Sequence, residues 1–233
     1  MSATTHLDLD VTRFWPMGVE SLPWTGDPVA DRLLAANPFA LLMGMLLDQQ
    51  FRMERAFYGP FLLQQRLGEP LDPARIARMD PADLDPLFKG PPAIHRFPGA
   101  FAKRTHELAG YIVTHYDGDT SRLWTTASTG EDLYKRLREL PGFGDAKARI
   151  FVGVLGKRLE VGPVGWETVA ADWPSIADVG QWEDVFTLRE QKREMKSGRA
   201  PGPPPRSKPR KRAESLNSGG FKADKQANPE EGV

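Results

Sequence analysis

Leu140-Pro141-Gly142-Phe143-Gly144-Asp145-Ala146-Lys147-Ala148 lies between two helical patterns and decides how the rest of the chain is read. Before it, Leu133, Leu137 and Leu140 recur on one helical face; after it, Ile150, Phe151, Val154 and Leu155 mark a second helix. Pro141 and Gly142 end the first helix, and Gly144 can take a positive φ, which glycine adopts without steric cost. A helix that starts at Asp145 turns its free N–H groups and positive dipole end outward, where a phosphate is well received. An ordinary corner between two helices would use the same residues.

Upstream, Phe39, Leu42, Met43, Leu46 and Leu47 form an apolar stripe that Leu41 and Met45 widen, so this helix is expected to be deeply buried. It runs into the polar trio Asp48-Gln49-Gln50. In this order, and about 90 residues apart, the two stretches resemble the helix-hairpin-helix (HhH-GPD) superfamily of base-excision DNA glycosylases. The resemblance spans roughly residues 27–166. It implies an all-α, helix-hairpin-helix DNA glycosylase-like globule that hydrolyses the N-glycosidic bond of a flipped, damaged base. It also implies a hairpin, Leu140, Pro141, Gly142, Phe143 and Gly144, that grips a phosphate of double-stranded DNA beside a monovalent cation held by hairpin carbonyls. Gln49 and Gln50 would face the minor groove, and Lys147 would join the DNA-binding residues.

The resemblance breaks at the chemistry. Catalytic members place an Asp about 20 to 24 residues beyond the first hairpin Leu, where it stabilises positive charge on the sugar or activates water. Here Val161-Gly162 and Val164-Gly165 stand at that distance, with Gly in place of the carboxylate. Bifunctional members carry a nucleophilic Lys where this chain has Ala146. Lys147, one place further on, is expected to point about 100° away and miss the pocket. Asp48, at the Gln-bearing turn, and Glu167, just beyond the hairpin helix, are the candidate catalytic replacements.

The absence of cysteine excludes disulfides, thiolate metal sites and the iron–sulfur cluster of one branch of the superfamily. The four histidines, His6, His95, His106 and His115, have no metal-ligand spacing, and no metal or other cofactor is expected. No run of 18 apolar residues suggests a membrane span. The start of the chain lacks a secretory pattern, so a cytoplasmic, nucleoid-associated monomer is expected. The net charge of zero hides a division: residues 189–233 hold 12 Lys/Arg and 6 Asp/Glu, leaving 19 and 25 for residues 1–188. DNA attraction must therefore come from a local basic face on the body or from the C-terminal stretch.

In order, residues 1–26 are expected to wrap the body irregularly, anchored by Phe14, Trp15, Leu22 and Trp24. Residues 27–196 should form a body of eight to ten helices. Asp27-Pro28, Asn37-Pro38, Asp72-Pro73 and Asp80-Pro81 read as helix starts. Ser128 or Thr129 should cap the first hairpin helix, with Glu131 or Asp132 completing the box. His95 and Arg96 lie in a loop at the rim of the implied base pocket, or in a plain surface loop. Residues 172–181 read as irregular, and residues 197–233 as a disordered basic tail. Three functions compete: a glycosylase with a relocated carboxylate, a non-catalytic DNA-binding protein of the same fold that recognises a lesion or distorted backbone, and an α-helical protein-interaction module.

Overall fold

The computed structural model describes residues 18–198, and among them all regular structure is helical. The order is α1 (Pro28–Ala36), α2 (Pro38–Leu47), α3 (Met53–Leu67), α4 (Pro73–Arg78), α5 (Pro81–Lys89), α6 (Pro98–Tyr116), α7 (Arg122–Thr125), α8 (Gly130–Glu139), α9 (Asp145–Lys157), α10 (Trp166–Val169) and α11 (Asp184–Lys196). Eleven α-helices thus replace the expected eight to ten. The addition is α7, a single turn too short to leave a periodic signature. A 3₁₀ turn at Ile176–Asp178 breaks the stretch expected to be irregular, and α10 stops short of residue 171. The basic stretch from Arg199 onward, and Phe14 and Trp15, lie outside the described residues.

All four expected Asx-Pro starts are made, and for one reason. Each Asx side chain accepts an N–H of the first turn while Pro fills a position whose N–H would have had no helical partner. Asp27 accepts from Val29 and Ala30, Asn37 from Ala40, Asp72 from Ala74 and Asp80 from Ala82. Thr129, rather than Ser128, caps α8 by accepting from Asp132 N at 3.1 Å. The Asp132 carboxylate reaches back to Ser128 N at 3.0 Å.

Helix α2 is the axis of the core. Every residue from Phe39 to Leu47 is buried, and α1, α3 and α6 pack against it. Gly44 allows the closest approach: a Cβ there would lie 2.5 Å from the Phe57 ring. Phe57 in turn meets Trp24 edge-on at 4.9 Å. Residues 18–26 lie irregularly over this side, as expected. The Asp31 carboxylate accepts from Trp24 N, Thr25 N and the Thr25 hydroxyl, and Trp24 Nε1 donates to the Val179 carbonyl at 3.2 Å. Helices α4 and α5 pack on α6, while α8, α9, α10 and the 3₁₀ turn form a second group around the hairpin.

Candidate nucleic-acid interface

The hairpin begins with a turn whose chemistry dictates its shape. Phe143 N donates to the Leu140 carbonyl at 3.1 Å, with Pro141 and Gly142 between them. This is a type II turn, which favours Pro first and needs a positive φ second. The positive φ therefore falls on Gly142 (+80°), and Gly144, equally free to carry it, is extended at φ −101° and ψ −180°. Gly144 is the N-cap of α9, no side chain caps that helix, and a Cβ on Gly144 would meet nothing within 4 Å. Leu140 and Phe143 turn inward and are buried; Phe143 meets Phe151 edge-on at 6.2 Å. The side of Gly142 faces α2, because a Cβ there would lie 2.5 Å from Leu46 Cδ1.

The hairpin thus rests on the last turn of α2, where the polar trio starts. Asp48 caps α2 at φ −71° and ψ 68°, and Gln49 N donates to the Leu47 carbonyl at 2.7 Å, an inverse γ-turn. Gln50 follows with φ +54°, uncommon for a residue with a Cβ, and is exposed. Lys147 does reach this place. Its Nζ donates to the Leu46 carbonyl and lies 5.8 Å from the centre of the Phe143 ring. The helical angle places only the Cβ; the end of α2 lies within reach of the start of α9, and a long side chain spans the rest. The hairpin and Lys147 thus both meet Leu46, two residues before the Gln-bearing turn begins.

His95 fixes the turn from the other side. It is 1% exposed, so it is no rim residue. Its Nδ1 accepts from Phe97 N at 3.1 Å, which puts the proton of the neutral ring on Nε2, and Nε2 donates to the Gln49 carbonyl at 3.1 Å. Burial lowers its pKa below the ordinary value; the Gln49 bond opposes this, and the charges of Lys147, Arg96 and Arg104 add to the lowering. Arg104 on α6 donates to Gln49 Oε1 at 3.1 Å. Phe101 meets His95 in a tilted contact with ring centres 3.7 Å apart, while Phe97 is 47% exposed with the Arg96 guanidinium 4.6 Å from its centre. Sequence reasoning missed this alternation of arginines and aromatic rings around the Gln turn; the spacing of Arg96, Phe97, Phe101 and Arg104 over one helical start was its only visible sign.

A second missed group lies behind the hairpin. Asp145, the first residue of α9, accepts from the Tyr134 hydroxyl and pairs with Arg149 at 3.3 Å and Arg138 at 3.4 Å. Partial burial would raise its pKa, but Tyr134, Arg149 and Arg138 outweigh this and hold the carboxylate below its usual range. The charge that Asp145 brings to the helix start is thus engaged sideways.

The two candidate carboxylates lie in different places. Asp48 lines an open groove of about 410 Å³ with Phe51, Arg52, Met53 and Glu54, closed on its far side by α11. Glu167 is exposed on α10, which packs on α8 and α9. Its neighbour Trp166 covers Gly156, roughly 18 Å along α9 from Gly144 at 1.5 Å per residue. Trp166 also lies on Gly162, one of the two positions where the resemblance implies a carboxylate: a Cβ there would be 2.4 Å from the indole. Gly165, the other, has φ +78° with open space around it. No family model, curated protein or solved structure matches the chain. Among the described residues no cluster of three or more His, Asp or Glu could hold a metal ion, and no single helix is long and apolar enough to cross a membrane.

Proposed function

We propose that the protein is a DNA-binding base-excision repair protein, a helix-hairpin-helix glycosylase that docks on damaged duplex DNA through residues 140–144. The observation that carries this reading is the bond from Lys147 to the Leu46 carbonyl, because it joins an uncapped helix start to the Gln-bearing turn. A phosphate would be received at Gly144, Asp145 and Ala146 by backbone N–H groups and the helix dipole. Gln49 and Gln50 would then lie toward the bases, with Arg104 and His95 holding Gln49 in place. The turn uses the Leu140 and Gly144 carbonyls, and the backbone hydrogen bonds of the described residues leave those of Pro141, Gly142 and Phe143 for a monovalent cation.

Breaking an N-glycosidic bond builds positive charge on the sugar, which a carboxylate offsets. Asp48 suits that role better than Glu167, since it adjoins Gln49 and follows a rigid buried helix. A second reading, a non-catalytic lesion-binding protein of the same fold, is favoured by the indole of Trp166 over Gly162. Duplexes containing uracil, oxidised, deaminated and alkylated bases, scored for abasic sites, separate the two. Asp48→Asn should keep lesion binding and lose base release by at least about a hundredfold. An active Asp48→Asn beside an inactive Glu167→Gln reverses the assignment. A parent that binds lesions without releasing any base establishes the second reading, and one without salt-sensitive DNA binding leaves the interaction module.

A further inference from the structure

The groove beside Asp48 holds a concentration of charge that neither the hairpin nor the Gln turn uses. Its lining includes five cations, Arg52, Arg189, Lys192, Arg193 and Lys196, against two carboxylates, Asp48 and Glu54. Glu54 is already engaged, by Arg52 at 2.9 Å and by Arg189. Lys192, Arg193 and Lys196 form no ion pair with any described residue. Four of the five cations follow directly on residues 1–188, which are acidic on balance.

The pattern along α11 explains how the surplus is displayed. Val185 and Leu188 anchor the helix in the core, and Arg189 ties it to the start of α3 through Glu54. Lys192, Arg193 and Lys196 follow at the three- and four-residue steps that share one helical face. From Arg189 to Lys196 this row covers about 10 Å of helix axis. One DNA strand presents a charge about every 3.4 Å along its axis, so the row matches about three phosphates.

We infer that the α11 groove is a backbone track that holds about three consecutive phosphates of a DNA strand on the far side of the Gln turn from the hairpin. The inference rests on the DNA-binding reading above but not on the hairpin being the dock. The groove continues directly from Asp48, so a strand gripped at the hairpin and crossing the turn would next meet α11. It would also supply, from the residues that follow the acidic stretch 1–188, the local attraction that binding requires.

The test measures duplex affinity against salt for the full chain, its Lys192→Ala/Arg193→Ala/Lys196→Ala variant and Gly144→Val. Each phosphate contact contributes about 0.9 to the slope of log K on log salt, so the triple variant should lose about 2.7. Lys192→Arg/Lys196→Arg should keep the parent slope. Single methylphosphonate substitutions should show neutral phosphates that weaken the parent and no longer affect the triple variant, distinct from those silenced by Gly144→Val. An unchanged slope in the triple variant, with Gly144→Val impaired, overturns the track and leaves the hairpin reading standing. The reverse result supports the track and removes the hairpin as dock. A parent that binds no duplex overturns both.

Discussion

The two ends of α9 use glycine for opposite purposes. At its start, Gly144 is exposed and a Cβ on it would touch nothing within 4 Å. At its end, Gly156 lies under Trp166, where a Cβ would come within 2.3 Å of the indole. Gly130, at the start of α8, meets the same tryptophan through backbone atoms that yield less, with Trp166 Cα at 2.5 Å and the Gly165 carbonyl oxygen at 2.7 Å from its Cβ position. One end leaves backbone open to a partner; the other removes side chains so that a tryptophan can close the fold. A glycine in the sequence does not disclose which of these it serves. Space around its Cα does, and that space belongs to other segments.

The largest effect should come from the closed end. Gly130→Ala sets a methyl against fixed backbone and should cost about 3 kcal/mol, the upper range for overpacking, or roughly 6 to 12 °C in Tm. Gly156→Ala meets only the movable indole, so a double-mutant cycle with Trp166→Ala should show strong coupling. Additive effects would mean that Trp166 does not press on α9.

Gly142→Ala should rank next. It forces a side chain to φ +80° and into Leu46 Cδ1, at a cost of about 2 kcal/mol. It therefore damages folding as well as docking, and a midpoint within error of the parent would contradict the turn described here.

Gly144→Val isolates docking. Its backbone is extended and its surroundings are open, so the unfolding free energy from denaturant titration should fall by about 1 kcal/mol or less, the difference between capping residues. Duplex affinity should nevertheless drop clearly. Wild-type affinity in a folded Gly144→Val protein would remove the open end from the interface.

The smallest effect is one of pH. The folded state depresses the His95 pKa from 6.5, chiefly through burial. The unfolded chain then binds more protons than the folded one as pH falls through 6.5. Stability from this group is full above that value and declines below it, until the folded ring itself titrates. Comparing Tm from pH 7.5 to 5 for the parent and His95→Gln should show a gap that narrows as the solution becomes acidic. A constant gap would assign the slope to other groups.

Local chemistry was legible in the sequence. The four Asx-Pro helix starts, the buried stripe of α2 and the break between α8 and α9 depend on residues within one or two turns of each other. The candidate site was legible only as two separate motifs. That Asp48, Gln49 and Gln50 adjoin the hairpin depends on Leu46 packing beneath Gly142, a contact between residues almost a hundred positions apart. The left-handed position was not legible in the sequence because Gly142 and Gly144 are equally permissive, and the turn hydrogen bond from Phe143 to Leu140 chooses between them.

By itself, the sequence determined the all-α class, most of the helix boundaries and the two motifs, since propensity, capping and periodicity act along the chain. Tertiary structure alone decided where the long side chains end. Lys147 bonds to the Leu46 carbonyl, His95 is a buried latch and not a rim residue, and Arg104 holds Gln49. It also separated Asp48 from Glu167 and gathered the cations of α11 beside the first of them. The physical reason is reach: a side chain of several bonds samples a sphere far wider than its helical angle implies, and only the neighbours packed around it select one direction.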